Sequence, residues 1–97
     1  MSADYLESVS ALIQAGRIRM GMTRAELRAL LGEPEDVGCT SRKDKVPSVW
    51  KYGEVEFAFP PAKSAREADS HGLYLVYVDE GHQRPFIELL APDSDSR

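Results

Sequence analysis

The chain holds a single cysteine, Cys39, among its 97 residues, so no disulfide can form within it. Its fold must rest on a packed core, and a reducing compartment is expected. No apolar run approaches the ~20 residues that a membrane-crossing helix needs. The start, MSADYLESVS, has no basic segment followed by an apolar one, so no signal peptide and no membrane are expected. Positive charge is also in short supply: 12 Lys and Arg against 16 Asp and Glu leave a net charge of -4. Nucleic-acid-binding domains carry a basic face, so no nucleic-acid partner is expected, whereas a basic protein partner fits.

The residues of catalysis are equally sparse. His71 and His82 are the two histidines. Acidic residues flank them in sequence, but no HxxxH, HxH or CxxC spacing supports a metal. There is no Gly-rich phosphate loop, no GxSxG and no acid pair at a fixed spacing on one helix. Cys39 follows Gly38 with no helix start beside it to lower its pKa, and reads as a small half-buried hydrophobe. No cofactor, metal ligand or catalytic residue is expected.

What is present is ordinary for a globular domain: 42% hydrophobic and 29% charged residues. The length makes one domain, placed at residues 1–91, with 92–97 expected to be a disordered tail. The most explicit stretch is Gly21–Pro34, GMTRAELRALLGEP. Thr23 and Glu26 form a capping box, and Met22 with Leu27 has the spacing of a hydrophobic staple. Leu27, Leu30 and Leu31 lie on one helical stripe. Gly32 is suited to a left-handed closing conformation, and Pro34 forbids continuation. So short a helix is unstable alone and must dock its stripe.

An earlier helix is expected over Ser2–Gly16, where Tyr5, Leu6, Val9, Leu12 and Ile13 share one side. Asp4 with Glu7 offers another capping box. In the connector Arg17–Met20, Ile18 and Met20 are expected to point inward and the arginines outward. Asp36–Cys39 reads as a short strand or a pass over the core. Thr40–Lys45 reads as a polar loop, in which Arg42 and Lys43 could meet an acidic partner.

Ser48–Phe59 predicts a hairpin with a type II′ turn at Gly53-Glu54. Its register would pair Tyr52 with Val55, Lys51 with Glu56, Trp50 with Phe57 and Val49 with Ala58. That register puts Trp50, Tyr52, Val55, Phe57 and Phe59 on one face, over the helices, and Lys51 beside Glu56 on the other. The long link 60–71 could hold a helical turn around Ala62–Ala68. Gly72–Asp79 predicts a third strand and Phe86–Leu90 a fourth. The helices cannot cover both faces of the third strand, so Tyr74, Val76 and Val78 are expected on a partly exposed, partner-binding face. The fold expected is α+β, two N-terminal helices packed on one face of a three- to four-stranded antiparallel sheet.

Gly21, Met22, Thr23, Leu31, Gly32 and Pro34 match a "GMT … LG-P" pattern. In this the segment Ile18–Pro34 resembles the small outer-membrane lipoproteins of the SmpA/OmlA family and the repeats of the beta-lactamase inhibitor protein. The resemblance implies two helices under an antiparallel sheet and a binding rather than a catalytic role. The chain departs from it in having no lipoprotein signal and only one copy of the unit. The stretch from Thr40-Ser41-Arg42-Lys43 through Pro47–Gly53 to Val55-Glu56-Phe57 also resembles small bacterial proteins to which no activity is attached. The function expected is a non-catalytic, cytoplasmic protein-binding module, an inhibitor or immunity-type protein of a bacterial toxin or enzyme. The alternatives are a small metal- or thiol-dependent enzyme using His71, His82 and Cys39, and a self-associating structural protein, a homodimer being its simplest form.

Overall fold

A computed structural model describes residues 5–39, 46–78 and 87–90, and among these described residues there are three helices and five strands. Helix α1 spans Tyr5–Gln14 and α2 spans Arg24–Leu31. Strand β1 (Asp36–Gly38) is followed by β2 (Val49–Tyr52) and β3 (Val55–Ala58). Helix α3 (Ala65–Asp69) leads to β4 (Leu75–Val78) and β5 (Ile87–Leu90). The strands form one antiparallel sheet in the order β1-β2-β3-β4-β5, an unbroken meander. The fold is α+β, as the sequence indicates, with five strands rather than three or four. The added strand is Asp36–Gly38, which pairs with Lys51, Trp50 and Val49.

Helix α2 forms for the reasons written into its ends. The Thr23 hydroxyl accepts from the Glu26 N–H at 3.2 Å, and the Glu26 carboxylate accepts from the Thr23 N–H at 2.9 Å. These bonds satisfy two of the donors that a helix start leaves orphaned. At the other end, the Gly32 N–H donates to the Arg28 carbonyl at 2.7 Å. Gly32 has φ +86° but ψ -169°, so it closes the helix in an extended mirror-image conformation rather than a left-handed helical one. Only glycine tolerates that geometry cheaply. Of the leucine stripe, Leu27 is fully buried, while Leu30 and Leu31 are half-buried at the margin of the core.

The hairpin has the register its pattern specifies: Val49–Ala58, Trp50–Phe57, Lys51–Glu56 and Tyr52–Val55. Gly53 has φ +63°, and Glu54 does not share the positive sign, which is what a II′ turn requires. Trp50, Tyr52, Val55, Phe57 and Phe59 are buried together with Val9, Ile18, Met22 and Leu27. The Tyr5 ring meets the Tyr52 ring edge-on at 5.6 Å, which docks α1 on this face. Of the connector, Ile18 is buried, Met20 half-buried, and Arg17 and Arg19 are exposed. The other face carries a cross-strand row of Asp36, Lys51, Glu56, Tyr77 and Glu88. There the Tyr77 hydroxyl donates to Glu56 Oε1 at 2.7 Å.

The expected exposed face of Tyr74, Val76 and Val78 is corrected by the pairing of β4. Val76 lies opposite Phe57 and Val78 opposite Val55, so both point to the helix side and are buried. Tyr74 precedes the strand and is 39% exposed. The neighbouring strand decides which side of an apolar-on-both-sides strand faces the core. The helical turn in 60–71 is α3, started by Ser64, whose hydroxyl accepts from the Glu67 N–H at 3.1 Å. Asp4, Arg42, Lys43, His82 and the tail 92–97 lie outside the described residues.

Candidate functional site

Arg24 is the first residue of α2 and Arg28 stands one turn later on the same side. Together with Leu27 and Leu31 they fall at i, i+3, i+4 and i+7, so two arginines share the stripe that faces the sheet. Each lies over an aromatic ring. The Arg24 guanidinium is 4.5 Å from the centre of Phe59, and that of Arg28 is 5.0 Å from the centre of Trp50. The two rings are themselves in contact at 5.6 Å. The result is a paired cation–π arrangement at the end of the aromatic sheet face.

Arg24 is only 5% exposed. Its Nη1 donates to the Ala68 carbonyl at 3.0 Å, and its Nη2 donates to the Pro47 carbonyl at 3.0 Å. One side chain thereby ties α2, α3 and the approach to β2. Its buried Nε finds no acceptor among the described residues. Among the described residues no carboxylate pairs with it at contact distance. Burial pulls its pKa below the usual arginine value, and the field of Asp69 pushes the other way. It remains a cation at neutral pH.

Beside these arginines a cleft of about 350 Å³ opens between α2, α3 and β1. Trp50 and Arg24 contribute to its wall, Pro34, Val37 and Pro47 supply apolar surface, and Glu33 and Asp69 add negative charge. That volume lies within the range of small-ligand and side-chain sites, about 300–1,000 Å³. Val37, paired with Trp50 in the ladder, is 43% exposed and, among the described residues, is one of two exposed large hydrophobics, Tyr74 being the other. Arg28 Nε contacts Glu33 Oε2 at 3.0 Å, with both side chains at least half exposed.

The sequence-based candidates are scattered differently. Tyr74 is on the surface while Val76 and Val78 are sealed under the helices, so the three form no common patch. Cys39 is exposed just beyond β1, not half-buried as expected, because the edge strand carries it away from the core. His71 follows α3, with Nε2 3.9 Å from Glu67 Oε2 and a buried, unpartnered Nδ1. Among the described residues no group of three or more His, Cys, Asp or Glu side chains is placed to hold a metal, and no helix is long and apolar enough to cross a membrane. Sequence reasoning overlooked Arg24 and Arg28. The signal was their position on the leucine stripe, where a long side chain can lay its stem on apolar surface and still place a charge.

Compared with protein-family models, curated proteins and solved structures, the chain matches none.

Proposed function

We propose that this chain is a non-catalytic protein-binding module, an inhibitor or immunity-type protein acting in the bacterial cytoplasm on a toxin or enzyme. We propose equally that its likeness to the SmpA/OmlA lipoproteins and the beta-lactamase inhibitor repeats reflects this binding role. The observation that supports the reading is the cleft beside Trp50. It sets Trp50 and two arginines, residue types enriched among interface anchors, beside the exposed Val37 of an edge strand. Strand β1 also lies at the edge of the sheet formed by the described strands, the position at which an extended partner segment adds. The binding surface moves accordingly from the Tyr74, Val76 and Val78 set to Val37, Trp50 and Arg28, with Tyr74 kept as a separate exposed contact.

The test uses the products of genes adjacent to this one, purified and titrated against the intact chain. A saturable complex that inhibits the neighbour's activity, and that Val37→Asp abolishes without changing the circular dichroism spectrum, supports the reading. If no neighbour binds and light scattering shows concentration-dependent self-association, the protein is instead its own partner.

A further inference from the structure

We infer that the outer edge of β1 takes up an extended segment of the partner that carries an apolar residue opposite Val37 and a lysine or arginine opposite Asp36. This rests on the protein-binding reading above and names the partner's chemistry. Strand β1 is an edge of the described sheet. The Gly38 carbonyl accepts from the Ser48 N–H at 2.9 Å, so Gly38 turns its backbone groups toward β2. Backbone direction alternates along an antiparallel strand, so the backbone groups of Val37 turn outward. There the Val37 N–H donates to Asp36 Oδ1 at 2.9 Å. An added strand needs that N–H, so the carboxylate is a latch on the edge, one of the charged guards that keep edge strands from indiscriminate pairing.

Charge decides what lifts the latch. On the sheet face away from the helices, Asp36, Lys51 and Glu56 stand side by side on successive strands, negative, positive, negative. Lys51 is shared between the two acids and makes no ion pair at contact distance among the described residues. The acids nearest Asp36 in sequence are otherwise engaged: Glu33 meets Arg28, and Glu35 accepts from the Gly53 N–H at 3.0 Å. Asp36 is exposed and, among the described residues, touches no cation. A lysine or arginine on a strand added outside β1 continues the alternation and draws the carboxylate off the Val37 N–H as the cross-strand pair forms. A glutamate in that place meets Asp36 directly and is rejected. The residue opposite Val37 points to the same side as Val37, over the cleft that Val37 lines with Pro34 and Pro47. The charges lining that cleft cancel, Arg24 and Arg28 against Glu33 and Asp69, so it suits an uncharged apolar side chain. In antiparallel addition, the direction of every other pairing in the sheet, the partner reads apolar residue first and cation next.

Trp50 lies across the ladder from Val37 and is the sole tryptophan, so its fluorescence reports on this edge, with the Val37 amide resonance as a second readout. The probes are the end-blocked peptide Thr-Val-Thr-Ile-Lys-Val-Thr and its twin with glutamate in place of lysine, each titrated into the intact protein. The lysine peptide should bind saturably and about fivefold more tightly than the glutamate twin, since opposite charges stabilise a cross-strand pair and like charges destabilise it. Sodium chloride should narrow that gap. Asp36→Ala, at an exposed position, should abolish the preference and bind the glutamate twin more tightly than the native protein does, because the latch and the repulsion leave together. Equal binding of the twins to the native protein, no response to either at millimolar concentration, or a preference that survives Asp36→Ala overturns the inference. So does self-association that Val37→Asp abolishes, which puts a second copy on the edge. If the peptides fail while a neighbouring gene product still binds, the module reading stands on another surface. If the lysine preference holds and no neighbour binds, the edge assignment stands and the module reading falls.

Discussion

Gly72 lies so close to Gly21 that a Cβ on Gly72 would stand 2.7 Å from both the Cα and the carbonyl oxygen of Gly21. The two segments are stitched together there. The Gly21 N–H donates to the Leu73 carbonyl at 2.9 Å, the Leu73 N–H donates to the Met22 carbonyl at 2.8 Å, and Thr23 bridges to Gly72. This stitch holds the start of α2 to the lead-in of β4. Gly72→Ala should therefore destabilise the protein by about 2 kcal/mol, because backbone rather than a flexible side chain must yield. Gly38→Ala is the control, having open space around its Cβ position and no positive φ. It should be neutral or stabilising by up to about 1 kcal/mol. Urea midpoints of the two variants decide this.

Removing the cap of α2 should cost less and be recoverable. Thr23→Ala loses the hydroxyl that accepts from Glu26 and should lower stability by about 1 kcal/mol. Thr23→Ser should restore most of it, which chemical denaturation can measure.

Tyr52 sets an alkaline limit. Its ring is fully buried, and its hydroxyl donates to the Gly32 carbonyl at 2.7 Å. Burial pushes its pKa up to about 12, with Arg28 opposing and Glu33 and Tyr5 adding to the rise. Above pH 10 the unfolded chain releases this proton while the folded chain keeps it. Unfolding is then favoured, so the associated stability is complete below pH 10 and lost as pH climbs toward 12. The total is on the order of 2 kcal/mol. Tyr52→Phe should flatten that part of the alkaline slope, at a cost of about 1 kcal/mol at neutral pH for the lost hydrogen bond. Denaturation curves between neutrality and pH 11 read both effects.

Arg24 should matter to stability. Arg24→Met keeps the stem over Phe59 but leaves the carbonyls of Ala68 and Pro47 without their donor. A loss of about 2–3 kcal/mol is expected, with α3 exchanging its amides faster than α1 does. Arg28→Gln, at a half-exposed position, should change stability by less than about 1 kcal/mol. Hydrogen exchange separates the two variants.

The sequence by itself determined the features whose partners are close along the chain. The capping box needs residues three apart, and the hairpin register follows from a two-residue turn and an alternating pattern, so Thr23 with Glu26 and Trp50 with Phe57 were legible without coordinates. Tertiary structure alone decided which way Val76 and Val78 face, since both sides of their strand are apolar and only its pairing with β3 chooses between them. It also decided the site. Arg24 meets a carbonyl 44 residues away, and Gly21 meets Gly72 across the whole helix–sheet junction. No local rule couples such distant segments. The Arg24 charge becomes a buried cation held by the carbonyls of Ala68 and Pro47 only once the helices and the sheet have closed around it.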